Sequence, residues 1–166
     1  MQSNITFLQK LAELVDGEVY SDQLHLSLYS TDASNYQVLP VAILLPKSVA
    51  DVKKAVKCAF DYSVPIISRG GGSSLSGQSI GTGLIIDYSK YMNEILLLDA
   101  EKQSVKVQPG IPLNKVNKHL AAKHQMIGPD PSSAKVATRN QYWPITSLCE
   151  KRNPYNWAGA KLYSDL

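Results

Sequence analysis

Apolar residues change from helical to strand-like spacing along the chain, and the order of these patterns predicts a mixed α and β domain. The first pattern predicts an amphipathic helix that Asn4 caps and Gly17 ends. Its apolar positions are Ile5, Leu8, Leu11, Leu14 and Val15. Residues 21–29 alternate only weakly, and the apolar run at residues 41–45 predicts a buried strand.

A second helix follows that strand. Ser48 is the predicted N-cap, with Asp51 at the third helical position, and the helix extends to about Tyr62. The predicted inner face consists of Val49, Val52, Val56, Ala59 and Phe60. The apolar residues 64–67 predict the next strand, so the order is that of a βαβ unit.

Three more strands and a helix are predicted after this unit. The strands cover residues 84–87, 94–99 and 104–108, and the polar residues 99–102 indicate a hairpin between the last two. Pro109 and Gly110 stop the sheet, and Pro112 begins a helix. The inward positions of that helix are Leu113, Val116 and Leu120.

Composition places the chain among ordinary globular proteins. Of 166 residues, 44% are apolar and 19% are charged, and 166 residues suffice for one domain with a core. The net charge of +3 gives no argument for nucleic acid, and the apolar runs are too short for a membrane span. Cys58 and Cys149 lack metal-site spacing. We therefore expect reduced thiols and a cytoplasmic location.

The stretch of residues 68–78, here called the glycine loop, is the main candidate for function. It reads SRGGGSSLSGQ and lies between the strands at residues 64–67 and 84–87. Glycines let successive N–H groups converge on an anion, and Ser73, Ser74 and Ser76 add hydroxyl donors. Arg69 adds a guanidinium suited to phosphate. The loop therefore predicts a diphosphate site, with a flexible linker as the alternative.

Two well-known phosphate motifs do not fit this loop. The dinucleotide motif GxGxxG requires a third glycine where Leu75 stands, and no helical pattern follows. The motif GxxxxGK[ST] fits residues 72–79, but Gln78 replaces the lysine that reaches the phosphates. A degenerate phosphohydrolase is therefore a weaker interpretation than a distinct diphosphate loop.

A second special stretch is GPDPSS, residues 128–133. Its two prolines fix an extended path, and Asp130, Ser132 and Ser133 add hydrogen-bonding groups. The stretch predicts either the second wall of a ligand cleft or a simple connector.

These stretches together resemble the PCMH-type FAD-linked oxidases, a family similar to vanillyl-alcohol oxidase. The matching motifs are RGGGSSLSGQ, VQPG at residues 107–110, GPDPSS, YSTDAS from Tyr29, and LPKSVADV from Leu45. The closest branch resembles D-lactate dehydrogenase and the FAD-linked component of glycolate oxidase. The resemblance covers about residues 20–138, and five motifs in order are specific where each alone would be weak.

The resemblance implies an α+β FAD-binding domain: an N-terminal βαβ subdomain plus the start of a second, mixed-sheet subdomain. It implies that FAD oxidises a D-2-hydroxy acid to a 2-oxo acid. Gln78 would fix the loop or contact the cofactor, and residues 129–133 would lie against the flavin and its ribityl phosphate. The implied cofactor contacts are Arg69, Gly70, Gly71, Gly72, Ser73, Ser74, Leu75, Gly77, Gln78, Pro129, Asp130, Pro131, Ser132, Ser133 and Thr138.

The resemblance ends near Thr138, so we expect a truncated FAD-binding domain over residues 1–138 and a divergent tail over residues 139–166. The tail resembles an out-of-frame continuation and shows no helical or strand period. The family's catalytic histidine and substrate arginine lie beyond the matched part, so no catalytic residue is predicted and the fragment alone is expected to lack turnover. A non-catalytic nucleotide-binding or partner-binding module is the alternative.

Overall fold

The chain forms eight strands and four α-helices over the residues that its computed structural model describes, 2–99, 104–127, 132–138 and 148–150. The elements are α1 (Gln2–Leu14), β1 (Glu18–Tyr20), α2 (Gln23–Leu28), β2 (Ala42–Leu45), α3 (Val49–Asp61), β3 (Ile66–Arg69), β4 (Leu84–Asp87), β5 (Ile95–Asp99), β6 (Ser104–Val107), α4 (Leu113–Leu120), a 3₁₀ turn (Ala121–Lys123), β7 (Gln125–Ile127) and β8 (Leu148–Glu150). The mixture agrees with the predicted α+β class.

Four strands form one mixed sheet in the order β1-β2-β4-β3. β4 lies between β2 and β3 and runs parallel to both, whereas β1 pairs antiparallel with β2. Parallel neighbours require a crossover connection, since the chain must return to the other end of the sheet. Between β3 and β4 this crossover is residues 70–83, which contain most of the glycine loop and no helix.

The main core lies between this sheet and the helices α1 and α3. Alternate strand residues, such as Leu44 and Ile86, face the helices, and their neighbours Ile43 and Ile85 are buried on the opposite face. This core comprises Phe7, Leu11, Val15, Ala42, Leu44, Val52, Ala55, Cys58, Ala59, Leu84, Ile86, Tyr88 and Met92.

The predicted inner face of α3 is partly wrong. Ser48 does cap the helix, because its Oγ accepts from the N–H of Asp51 at 3.1 Å. However, Val49, Val56 and Phe60 are 36%, 45% and 80% exposed. The buried stripe instead contains Asp51, Val52, Ala55, Cys58 and Ala59. Small residues let the helix lie close to its neighbours, so the larger apolar residues of the adjoining stripe face outward.

The ends of α1 also differ from the prediction. The helix begins at Gln2, so Asn4 lies within it and is not its cap. Gly17 lies beyond its last residue, Leu14, and contacts β2. A Cβ at Gly17 would lie 2.6 Å from the carbonyl oxygen of Leu45, so this glycine is required for close approach.

Residues 23–28, in the weakly alternating stretch, form the helix α2. Asp22 caps it, because its carboxylate accepts from the N–H of His25 at 3.2 Å.

The second half of the described chain forms a smaller unit with its own core. β5 and β6 form the predicted antiparallel hairpin, and α4 packs with it. The core of this unit contains Val105, Val107, Ile111, Val116, Leu120 and Ile127. Three residues of the predicted divergent tail form β8, which pairs with β7. The domain boundary at residue 138 stays a prediction. In the described ranges, no helix is long and apolar enough to cross a membrane.

Candidate functional site

The glycine loop packs against a polar segment from much earlier in the chain, residues 29–36, here called the tyrosine-bounded segment. The N–H of Ala33 donates to the carbonyl oxygen of Gly72 at 3.0 Å. Ser79, which directly follows the loop, donates to the Asp32 carboxylate from its hydroxyl at 2.9 Å and from its N–H at 3.4 Å. Two consecutive residues of the segment therefore hold the loop at two places.

The Arg69 side chain forms hydrogen bonds to backbone carbonyl groups on both sides of the loop in the sequence. Its guanidinium donates to the carbonyl oxygens of Tyr29 at 3.3 Å and Ser79 at 3.2 Å. The guanidinium carbon lies 5.0 Å from the centre of the Tyr29 ring, within range of a cation–π contact. A Cβ on Gly72, which has φ of +64°, would lie 2.6 Å from this guanidinium. Arg69 thus joins the start of the loop to its end, and its contact with phosphate stays a prediction.

A second contact holds Tyr29. Its hydroxyl donates to the carboxylate of Asp87, at the end of β4, at 2.7 Å. Asp87 is buried and also accepts from the N–H of Ser89 at 2.8 Å. Burial raises the pKa of Tyr29, and the hydrogen bond to Asp87 raises this pKa further. The hydroxyl therefore stays protonated and keeps its role as donor.

Asp32 is the acceptor that joins the tyrosine-bounded segment to the loop. Besides Ser79, it accepts from the N–H of Ser34 at 2.9 Å. Burial would raise the pKa of Asp32, but the hydrogen bonds from Ser34 and Ser79 together outweigh burial, and the pKa is lowered. The group is therefore a carboxylate at neutral pH and accepts hydrogen bonds from both Ser34 and Ser79.

Within the loop, Ser74 organises the second half. Its hydroxyl accepts from the N–H groups of Ser76 at 3.3 Å and Gln78 at 3.1 Å, and it donates to the Gln78 side chain at 3.3 Å. Gly77 has φ of +72°, a conformation that favours glycine, and lies beside the Tyr36 ring. The contacts of Gln78 therefore fix the loop.

Several N–H groups of the loop remain open. Among the described residues, none accepts a hydrogen bond from the backbone N–H of Gly70, Gly71, Leu75 or Gly77. Leu75 and Gly71 are exposed. Unpaired N–H groups at neighbouring loop positions, as at Gly70 and Gly71, are the donors that an anion-binding nest requires.

The later segment, residues 132–138, lies directly on the first two loop glycines. A Cβ on Gly70 would clash with the Thr138 side chain, and one on Gly71 would clash with the backbone of Val136. These glycines are therefore required for packing between the two segments. Ser133 closes a turn by accepting from Val136 and Ala137, and Ser132 is exposed. The predicted contacts Pro129, Asp130 and Pro131 lie outside the described residues.

Thr138 contributes a hydroxyl to this junction. The residue is 1% exposed, and its Oγ1 has no hydrogen-bond partner in the part of the chain that the structure describes. Buried hydroxyls normally have a partner, because leaving one unpaired costs free energy. The orphaned hydroxyl beside Gly70 therefore fits a site that a polar ligand completes.

Sequence reasoning identified the glycine loop but missed the residues that shape it. Tyr29, Asp32, Ser79 and Asp87 come from three parts of the chain. In the sequence, the tyrosine-bounded segment appeared only as part of the matching motif YSTDAS, with no role predicted for its residues. Its two tyrosines and its aspartate were the available signal, but nothing in their spacing shows which loop they contact.

The comparisons with known proteins agree with this geometry. The family described as FAD binding domain matches residues 40–138, which include the glycine loop and the segment that lies on it. The chain therefore belongs to the FAD-binding domain family. This confirms the predicted PCMH-type family and FAD as its cofactor.

Similarity to individual relatives supports the same family. The chain is 38% identical over 146 residues to D-2-hydroxyglutarate dehydrogenase of Pantoea ananatis. The aligned region covers 83% of this chain and 14% of that protein. It is 33% identical to the mitochondrial D-lactate dehydrogenase [cytochrome] of Kluyveromyces lactis, over 74% of this chain and 21% of that protein. The chain thus spans a small part of each relative.

A solved structure supports the fold. Alkyldihydroxyacetonephosphate synthase superposes with a TM-score of 0.72 and 25% identity, over 82% of this chain and 30% of that one. The fold predicted from the sequence is thereby confirmed.

Proposed function

We propose that the glycine loop and residues 132–138 bind the diphosphate of FAD, in a protein that oxidises a D-2-hydroxy acid to the 2-oxo acid. The observation that carries the proposal is the junction at Gly70. There, the backbone of Gly70 lies against the buried hydroxyl of Thr138, and neither that hydroxyl nor the Gly70 N–H has a hydrogen-bond partner among the described residues. Backbone N–H groups and hydroxyls are suitable donors to a diphosphate, and they add no charge that depends on pH.

Some residues would donate hydrogen bonds to the diphosphate, and others hold the loop in position. Gly70, Gly71, Leu75 and Gly77 would donate from the backbone, and Thr138 would donate from its hydroxyl. Arg69 and Gln78 hold the loop through the hydrogen bonds already described, and Arg69 adds positive charge near the diphosphate. Bound FAD would supply the electron acceptor for the substrate. The chain's own part is to hold the nucleotide end of the cofactor.

The substrate class follows from the relatives. Those described above are named for oxidation of D-2-hydroxyglutarate and D-lactate, both of which are D-2-hydroxy acids. We propose the same class for the whole protein that contains this domain.

The proposal is tested by titrating the purified chain with FAD and, separately, with ADP, and following the flavin fluorescence or the heat of binding. We expect both ligands to bind, since both carry the diphosphate. Binding of ADP without FAD would instead favour a non-catalytic nucleotide-binding module. Binding of neither would contradict the proposal, and magnesium-dependent ATP hydrolysis would favour the phosphohydrolase.

A glycine pair provides the matched control. Gly71→Ala places a Cβ against the Val136 backbone, so the loop must move away from residues 132–138. We expect its affinity for ADP to fall about tenfold or more, as for loss of a hydrogen bond to a charged group. Gly81→Ala meets only the Ile67 side chain, which can shift, and should bind ADP like the parent. Equal affinities in the two variants would show that the loop is not the site.

We also propose a cytoplasmic location, which the thiol of Cys58 supports. It is free and lies on the buried face of α3. Cell fractionation with an antibody to the chain tests this assignment.

A further inference from the structure

We propose that Asp32 is a positioning residue that acts through Ser79. It holds the glycine loop in the conformation described above before any ligand binds. The inference rests on the proposed function, because the diphosphate is the ligand whose site Asp32 would shape. Nothing in the chemistry of FAD requires a carboxylate near the diphosphate, so the role of Asp32 must come from its protein contacts.

The contacts of Asp32 connect two places in the chain. One carboxylate oxygen accepts from the N–H of Ser34, two residues on, which holds the tyrosine-bounded segment in a tight turn. The other oxygen accepts from Ser79, 47 residues away, at 2.9 Å from the hydroxyl. Ser79 is buried. The carboxylate thus fixes the end of the loop relative to that turn.

The neighbouring residue, Ala33, fixes the loop at Gly72. The N–H of Ala33 donates to the carbonyl oxygen of Gly72. Because a peptide bond is planar and trans, this contact directs the following N–H group to the opposite side of the backbone. The Asp32–Ala33 pair therefore holds the backbone at Gly72, within the loop, and at Ser79, directly after it, without using the N–H groups of Gly70, Gly71, Leu75 or Gly77.

The charge of Asp32 provides an alternative role, electrostatic repulsion of the ligand, which predicts a different result from a positioning role. A carboxylate close to an anionic ligand repels it, so removing a merely nearby charge would strengthen ADP binding. Removing a positioning residue would weaken ADP binding, because the loop would lose its preset geometry. The two roles predict changes of opposite sign for the same variant.

The test uses Asp32→Ala, Ser79→Ala and the double variant, with Asp61→Ala as control. Asp61 is a half-exposed carboxylate at the end of α3, where it pairs only with Lys57 among the described residues. Hydrogen–deuterium exchange of the loop peptide is measured first, since it requires no ligand. We expect loop exchange to rise about tenfold in the three variants, with β2 and β4 unchanged, and no rise in the control.

Affinity for ADP is then measured on the same proteins. We expect a loss of about tenfold for Asp32→Ala and no further loss in the double variant, because both substitutions remove the same contact. Ser79→Ala removes only one hydroxyl and keeps the test available if Asp32→Ala does not fold.

Three results would overturn the inference: unchanged loop exchange, exchange that rises equally in β2 and β4, or tighter ADP binding by Asp32→Ala. If the parent chain binds no ADP, the proposed function fails. The exchange measurement still decides whether Asp32 sets the loop.

Discussion

Single aspartates join segments of this chain that lie far apart in the sequence. Asp32 and Asp87 do so at the site, and Asp51 does so in the core. The Asp51 carboxylate accepts from the N–H of Asp16 at 3.0 Å and from the N–H of Lys47 at 2.9 Å, and the residue is 0% exposed. It therefore connects the end of α1 to the beginning of α3.

Removing this carboxylate should cost stability. Asp51→Ala leaves two partly buried N–H groups, those of Asp16 and Lys47, without their acceptor, and each unpaired group costs up to about 1–3 kcal/mol. We expect the free energy of unfolding in urea to fall by about 2–4 kcal/mol. Asp61→Ala, the exposed control, should change it by less than about 0.5 kcal/mol. A loss for Asp51→Ala no larger than that of the control would show that the contacts are not stabilising.

At the scale of elements, short strands depend on side chains that fix their position. β1 has only three residues, and its Glu18 accepts from Lys90 Nζ at 2.7 Å, from the Tyr20 hydroxyl at 2.8 Å and from the Tyr91 hydroxyl. Lys90 and Tyr91 follow β4, so these bonds tie the edge strand to the centre of the sheet. The hydrogen bonds from Lys90, Tyr91 and Tyr20, in that order, lower the pKa of Glu18 to about 2.

This pKa predicts a dependence of stability on acid. The folded pKa of about 2 lies below the ordinary value of 4.5, so Glu18 stabilises the fold above pH 4.5 and this contribution disappears as pH falls towards 2. Glu18→Gln should therefore lower the melting temperature at pH 7 and flatten its decline between these two pH values. Glu13→Gln, on the exposed side of α1, is the control. A variant with the same acid decline as the parent would refute the assignment.

Across the whole molecule, the two units meet at Gly110. Its N–H donates to the carbonyl oxygen of Met92 at 2.8 Å, and a Cβ there would clash with the backbone carbonyl of Tyr88. Lys115 of α4 also donates to the Asn93 carbonyl oxygen at 2.8 Å. The backbone of the second unit therefore lies against the turn that follows β4.

A methyl group at this junction should separate the two units. Gly110→Ala overpacks backbone against backbone, and we expect a loss of about 1–3 kcal/mol in the free energy of unfolding. Circular dichroism during thermal unfolding measures the loss, with Gly81→Ala as the matched glycine control. If both variants melt at the same temperature, close contact at Gly110 is not required.

The sequence by itself determined most of the longer elements and the main candidate loop, but not β1, α2, β7 or β8. Periodic apolar residues defined α4 and the strands β2 and β4, because burial of one stripe or run is a local property. The Ser48 cap was also local, since its partner lies three residues away. The loop was found from composition, because glycines and hydroxyls between two strands can bring several donors together around an anion.

Only the tertiary structure decided which segments meet. It placed β4 between β2 and β3, brought Asp32 to Ser79 and laid Thr138 on Gly70. It also turned Phe60 outward and Ala55 inward on α3, although Phe60 is the more apolar residue. These outcomes depend on how surfaces of distant segments pack together in the folded chain, and residue spacing alone does not indicate that packing.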